Sequence, residues 1–141
     1  MKYIIVHHSL TPKDLPADQA ERSFNNNHRE RGFRKSSMGW YIGYHWVIYG
    51  NGELRSYRLP TELGQHTTNY NDSLGICLSG NFDIEDPNPA QVEALKALLT
   101  ILLKSHDVEV ENIVPHRKFA TKSCYGSRLP DDWAKNLIKK G

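Results

Sequence analysis

Histidine and cysteine side chains near the two ends of this chain could together hold a metal ion. His116 and Cys124 lie eight residues apart near the carboxyl end, with Lys122 two residues before the cysteine. The pair His7-His8 closes a short apolar run near the amino end. Imidazole and thiolate groups are the ligands that zinc prefers, and three protein ligands with an open fourth position make a catalytic site. These residues therefore predict a zinc centre.

The separation of these residues along the chain bears on the kind of zinc site. Structural zinc sites draw their ligands as close pairs such as Cys-x-x-Cys, and this sequence contains no such pair. Ligands from opposite ends of a chain are typical of a catalytic site on a preformed scaffold. If His7 and His8 end a strand, they point to opposite faces, and the pattern alone does not decide which one faces the site.

The composition is that of an ordinary globular domain. With 141 residues the chain forms one domain, large enough to bury a core without disulfides. The formal charge of +2 and the lack of a Lys/Arg block argue against a nucleic-acid partner. The two cysteines cannot define a disulfide framework, and Cys77 lies in an apolar run that predicts a buried strand.

The amino-terminal residues lack the features of a secretory signal peptide. One lysine precedes an apolar run that is far too short, and a charged, proline-containing segment follows at once. No window approaches the ~20 apolar residues that a membrane span needs. We therefore expect no membrane partner, and synthesis in the cytoplasm without export unless another route releases the protein.

Hydrophobic periodicity and turn signals predict an α/β fold: a single domain with a central mixed β-sheet packed by about three α-helices. Asn51-Gly52 between two β-rich runs indicates a hairpin, and Asn88-Pro89 marks the start of a long amphipathic helix. The predicted strands cover residues 3–8, 44–49, 53–57, 74–79 and 113–114. The other predicted helices cover residues 17–31 and 131–140.

Six motifs occur in an order that resembles a known family, the zinc-dependent N-acetylmuramoyl-L-alanine amidases that include phage amidase endolysins and animal peptidoglycan-recognition proteins. The similarity spans nearly the whole chain, from Tyr3 to Trp133. The motifs are Val6-His7-His8-Ser9, Gly43-Tyr44-His45, Gly64-Gln65-His66, Tyr70-Asn71, Ser73-Leu74-Gly75-Ile76-Cys77-Leu78, and His116-Arg117 followed by Thr121-Lys122-Ser123-Cys124.

This resemblance assigns roles to five residues. It implies that His7, His116 and Cys124 bind Zn²⁺, and that Tyr44 and Lys122 are catalytic. Lys122 is expected to stabilise the tetrahedral oxyanion and Tyr44 to orient water or pass its proton, and the sequence leaves open which of the two is the general acid.

Three further residues are predicted to contact substrate. His66 lies in a polar loop, and Asn71 belongs to the motif that follows it. Trp40 could floor a sugar or peptide groove, although an aromatic core position is the alternative.

Two positions depart from the family pattern. Many members have proline directly after the metal-binding cysteine, where this chain has Tyr125, so the rigidity of that loop is an open question. His8 stands where other small residues are common, and alternation along the strand predicts that it either supports a metal ligand or is structural.

The function implied is hydrolysis of the amide bond between N-acetylmuramic acid and L-alanine in bacterial peptidoglycan. We expect a monomeric phage or prophage endolysin of residues 1–141, a single catalytic domain without a separate wall-binding domain, that is bacteriolytic and reaches the cell wall through a phage-made membrane lesion. Three alternatives stand beside it. They are a binding module that does not cut, a metal-free hydrolase with Cys124 as nucleophile and His116 as base, and regulation of an intracellular partner.

Overall fold

A computed structural model describes residues 3–139 and shows one α/β domain. Its five strands are β1 (Ile4–His8), β2 (Trp46–Ile48), β3 (Leu54–Ser56), β4 (Leu74–Leu78) and β5 (Ile113–Pro115). Its α-helices within these residues are α1 (Ala17–Glu30), α2 (Pro89–Ser105) and α3 (Trp133–Lys139). Short 3₁₀ turns cover Val110–Asn112 and His116–Lys118. The end that we predicted for the last helix, Lys140, lies outside the described residues.

The strands form one mixed sheet in the order β3-β2-β4-β1-β5. The pairs β1–β4, β1–β5 and β2–β4 are parallel, and the hairpin β2–β3 is antiparallel. The predicted fold class, a mixed sheet with three packed helices, is therefore confirmed for the described residues. Within these residues no helix is long and apolar enough to cross a bilayer.

The two faces of the sheet carry different helices. On one face, strand residues such as Val6 and Ile76 form an apolar core with the leucines of α2 and with α3. On the other face, Val47 and Cys77 pack with Phe24 of α1. Cys77 is fully buried, as the apolar run predicted.

Sheet register decides which histidine of the pair faces which helix. His7 pairs with Cys77 across β1 and β4, and residues in register on neighbouring parallel strands point to the same face. His7 therefore lies on the α1 face. His8 pairs with Leu78 and lies on the α2 face, where it is 4% exposed.

The start of α2 lies where its local signal predicted it. The amide N–H of Asn88 donates to the side-chain oxygen of Gln91 at 3.0 Å, which caps α2 where its proline begins the helix. Strand β2 is shorter than predicted. Gly43 already bonds to the neighbouring loop, because its carbonyl accepts from the N–H of Gln65 at 2.8 Å. Tyr44 thus lies just before the strand.

Candidate metal centre

Two histidines and one cysteine from distant parts of the chain converge at one point. The ligand atoms of His7, His116 and Cys124 all lie within 4.8 Å of one another. His7 lies in β1, His116 begins the 3₁₀ turn after β5, and Cys124 lies in the loop that follows. All three side chains are at least nine-tenths buried. These donors are the types that zinc prefers, and their number leaves a coordination position open.

The parallel ladder between β1 and β5 explains how His7 meets His116. Val6 pairs with Pro115 in this ladder, so the next residue of each segment is a histidine. The two imidazole rings have centroids 4.5 Å apart. The sheet thereby brings together two residues that are more than a hundred positions apart in the sequence.

Arg117 holds the loop that carries Cys124. The backbone N–H of Arg117 donates to the carbonyl of Cys124 at 2.6 Å. Its guanidinium donates to three more backbone carbonyls of the loop, those of Ser123, Gly126 and Leu129. Because one rigid guanidinium satisfies several carbonyls, the sulfur is fixed relative to the turn that carries the second histidine.

Tyr125 stands where the resembled family often has proline. Its ring is fully buried and packs edge-on against Trp133, with centroids 5.4 Å apart, and its hydroxyl donates to the carbonyl of Pro130 at 2.9 Å. The next residue, Gly126, has φ +114° and no room for a side chain, since a Cβ would lie 2.6 Å from the carbonyl oxygen of Phe82. Packing of the tyrosine and close approach at the glycine fix this loop.

Burial controls the protonation of the three candidate ligands. It lowers the pKa of His116 to about 4, with a further contribution from the charge of Lys122. Burial is also the main cause that lowers the pKa of His7 well below its usual value. The pKa of Cys124 is raised to about 12 by burial. Both imidazoles are therefore neutral at pH 7, whereas the thiol must lose a proton when a metal binds.

Tyr44 lies beside this cluster. Its ring centroid is 5.0 Å from that of His7 and 5.6 Å from that of His28. Burial, followed by the nearby thiols of Cys77 and Cys124, raises the pKa of Tyr44 well above its usual value. The phenol is thus a neutral hydrogen-bond donor rather than a phenolate base.

Lys122 is exposed on the loop two residues before Cys124. Its charge contributes to the lowered pKa of both His7 and His116. It also borders a cavity of about 750 Å³ outside β5, whose described lining includes none of the three candidate ligands. A positively charged side chain therefore stands at the solvent side of the centre.

The three predicted substrate contacts have different surroundings. His66 lies at the centre, with its Nδ1 3.0 Å from Nε2 of His7. The side-chain oxygen of Asn71 accepts from the N–H of His66 at 2.8 Å and so shapes the loop that carries it. Trp40 packs edge-on against Tyr57, with centroids 5.1 Å apart, in the cluster under α1. Substrate contact stays a prediction for all three.

Two supporting residues were missed at the level of sequence. His28, in the last turn of α1, accepts the N–H of Gly43 at 2.9 Å and so anchors the segment that carries Tyr44. Arg58 is fully buried and donates to the carbonyls of Ile42 and other loop residues. Neither has a sequence signal, since both bind backbone atoms of segments that only the fold brings near.

His8 has a structural environment on the opposite face, as alternation predicted. Its Nδ1 accepts the N–H of Phe82 at 3.0 Å, and its own backbone N–H donates to the sulfur of Cys124 at 3.2 Å. The ring therefore fixes the segment after β4, and the backbone supports the candidate ligand.

Sequence comparison finds relatives over most of the chain. The profile of the N-acetylmuramoyl-L-alanine amidase family matches residues 1–127. The endolysin of Escherichia phage T7 is 32% identical over 141 residues, an alignment that covers 96% of this chain and 87% of the endolysin.

Structure comparison gives the same fold. The N-acetylmuramoyl-L-alanine amidase endolysin LysCS from Clostridium intestinale has a TM-score of 0.79 at 24% identity, covering 99% of this chain and 82% of that one. A variant of Drosophila PGRP-LB in complex with tracheal cytotoxin has a TM-score of 0.76 at 29% identity, covering 90% of this chain and 76% of that one.

Proposed function

This chain belongs to the N-acetylmuramoyl-L-alanine amidase family, as the motifs indicated, and we propose that it is a zinc-dependent enzyme. Its reaction is hydrolysis of the amide bond between N-acetylmuramic acid and L-alanine in bacterial peptidoglycan. The observation that carries the proposal is the convergence of His7, His116 and Cys124 within 4.8 Å.

The donor set suits Zn²⁺. Two neutral imidazoles offer lone pairs without first losing a proton, because burial keeps the pKa of His7 and His116 low. The sulfur of Cys124 accepts a backbone N–H, which stabilises it as a thiolate. Zinc, when bound, supplies Lewis-acid polarisation of a carbonyl group and activation of water.

Lys122 and Tyr44 have different roles beside the metal ligands. Lys122 carries a positive charge at the solvent side, where it binds the oxyanion that develops as the amide is attacked. A preorganised donor of this kind is typically worth about 3 kcal/mol. Tyr44 stays protonated and donates a hydrogen bond that orients the attacking water or the leaving nitrogen.

A metal-free cysteine hydrolase fits the site less well. The thiolate is the nucleophilic form of cysteine, and catalytic cysteines lie in surroundings that lower the thiol pKa. Burial instead raises the pKa of Cys124 to about 12. Within the described residues, the hydrogen bonds of this sulfur join it to backbone atoms of His8 and not to an imidazole.

The biological role follows from the family and the phage relatives. We propose a bacteriolytic endolysin whose partner is peptidoglycan, acting on the cell wall as a single catalytic domain and a monomer. Similarity to a phage endolysin over 96% of the chain supports this role.

The decisive experiment is mass analysis of purified peptidoglycan after digestion. The metal-free protein, prepared with a chelator, is compared with the protein reloaded with zinc. We expect free stem peptides that begin with L-alanine only in the reloaded sample, and intact glycan strands. Release of disaccharides alone would contradict the proposed bond.

A matched pair of cysteine variants tests the ligand assignment. Cys124→Ser is expected to lose both zinc and peptide release, whereas Cys77→Ala, which alters the other buried cysteine, retains one zinc ion per chain. If chelation leaves peptide release intact while a thiol-alkylating reagent abolishes it, the cysteine-hydrolase alternative replaces the zinc mechanism.

A further inference from the structure

The ring of His66 is built into the sheet face beside the candidate metal ligands. Gly64 and Gly75 both leave room for this ring. A Cβ at Gly64 would lie 2.4 Å from the imidazole and a Cβ at Gly75 would lie 2.6 Å from it, and both distances are too short. Gly75 lies within β4, where no turn requires a glycine. The glycine in this strand is therefore explained by the histidine that packs on it.

The hydrogen bonds of this ring define which nitrogen carries its proton. Nε2 of His66 lies 3.1 Å from the carbonyl oxygen of Ser73, and a carbonyl can only accept. Nε2 must therefore be the protonated nitrogen. In a neutral imidazole the other nitrogen, Nδ1, is then an acceptor. A doubly protonated ring here would set a positive charge beside the ligand of a divalent cation.

That acceptor faces His7. Nδ1 of His66 lies 3.0 Å from Nε2 of His7 and 2.9 Å from the hydroxyl of Thr67. The hydroxyl of Thr67 can rotate to donate or to accept. Nε2 of His7 can form a hydrogen bond with a nitrogen that carries no proton only by donating to it. Nε2 of His7 therefore carries a hydrogen, which leaves its Nδ1 with a free lone pair.

From this chain of donors and acceptors, we propose that His66 is a positioning residue that holds His7 in the tautomer whose Nδ1 is free to bind the metal. The proposal rests on the zinc site proposed above. Partners of this kind, which accept the second N–H of a metal-bound histidine, orient the ring and raise its basicity.

Direct ligation by His66 is the alternative reading. The cluster of possible ligand atoms within 4.8 Å, searched across residues 3–139, contains His7, His116 and Cys124 but not His66. With both of its nitrogens already hydrogen-bonded, His66 supports a ligand instead of closing the open position that catalysis needs.

The tautomer can be observed directly in the wild-type, metal-free protein. Long-range ¹H–¹⁵N spectra distinguish protonated from bare imidazole nitrogens. We expect His7 to show a protonated Nε2 and a bare Nδ1, and His66 to show a protonated Nε2. The opposite tautomer at His7 would overturn the proposal whatever the variants do.

Zinc affinity gives a second readout, measured by competition with a chromophoric chelator. His66→Phe keeps the ring volume but removes both hydrogen bonds, and we expect its zinc dissociation constant to rise about 10–100-fold. His66→Gln carries one donor and one acceptor and should recover most of that loss. His106→Phe, at the end of α2, is the matched control and should bind zinc as the wild type does.

The outcomes separate this proposal from the proposed function. If the wild type binds no zinc, the zinc mechanism itself fails. If the wild type binds zinc and His66→Phe binds it equally well, only the positioning role fails. Thermal unfolding of each metal-free variant shows whether a loss of affinity comes from a loss of fold.

Discussion

Two adjacent histidines on one strand show how differently the two faces of this sheet are used. His7 lies on the α1 face among other imidazoles, with His66 and His116 both within 5.0 Å between ring centroids. His8 lies on the α2 face, where its ring accepts one backbone N–H from Phe82 and packs near that residue's ring.

The difference follows from what covers each face. The α2 face is covered by leucines and carries most of the apolar core. A polar ring on this face therefore forms its hydrogen bond with the neighbouring backbone. The α1 face is lined by histidines that burial keeps neutral. The pKa of His28, His66 and His116 is lowered to between about 3 and 4, so these imidazoles are uncharged at neutral pH.

Replacing His7 tests the α1 face and should give the largest effect. We expect His7→Ala to lose tight zinc binding and to reduce peptide release by at least about 10³-fold, because two ligands cannot hold the metal in place. Metal analysis and peptidoglycan digestion measure the two losses. A His7→Ala protein with full zinc content and activity would show that the centre lies elsewhere.

Lys122 tests the solvent side of the same centre. Lys122→Ala should lower kcat about 10²-fold, since a preorganised donor to an oxyanion is worth roughly 3 kcal/mol. Zinc content and thermal stability should not change, because this side chain is exposed. Lys118→Ala, another exposed lysine near the turn, is the control and should keep its kcat. Equal effects of both substitutions would indicate a general charge effect.

His8 tests the opposite face, and here we expect stability to change rather than chemistry. His8→Phe keeps a ring but leaves the buried N–H of Phe82 without its acceptor, which should cost about 1–3 kcal/mol in the free energy of unfolding. Its backbone N–H still donates to Cys124, so zinc affinity should stay within a few-fold of wild type. Urea unfolding and zinc titration together measure this contrast. A variant that loses zinc without losing stability would reverse it.

Much of this site could be predicted from sequence because its chemistry is carried by rare residue types. Histidine and cysteine are the side chains that zinc prefers, and His7, His116 and Cys124 end strands or follow them. Strand alternation predicted that the side chains of His7 and His8 point to opposite faces of the sheet. The register with β4 and the position of α1 were needed to assign each side chain to a face. The family resemblance made the same choice from motifs.

The supporting residues could not be predicted, since their partners are backbone atoms. Arg117 donates to loop carbonyls and His28 accepts the N–H of Gly43. No spacing of residues in the sequence predicts either contact. The role of Tyr125 was equally hidden. Its place after the cysteine left the rigidity of the loop open, because its burial against Trp133 is a tertiary contact.

The pH dependence of the free energy of unfolding also tests the contrast between the two faces. We expect its effect to be the smallest, because it is shared among several histidines. Histidines in the unfolded chain bind protons near pH 6.5, whereas His28 and His116 in the folded protein do so near pH 4. Between these values the unfolded state binds more protons, so stability must fall as pH falls from 6.5 to 4. Each such histidine adds up to about 1.4 kcal/mol per pH unit to the slope.

Urea unfolding of the metal-free protein between pH 7.5 and 4.5 measures this slope. The carboxyl of Glu62, whose pKa is held at about 2 by hydrogen bonds from Ser37 and Leu59, contributes mainly below this window, since its usual pKa is 4.5. His28→Gln keeps an acceptor for the N–H of Gly43 and should make the slope shallower. If the slope of the free energy of unfolding against pH stays unchanged in this variant, the α1 face does not hold its histidines neutral. The proposed contrast between the two faces of the sheet would then be wrong.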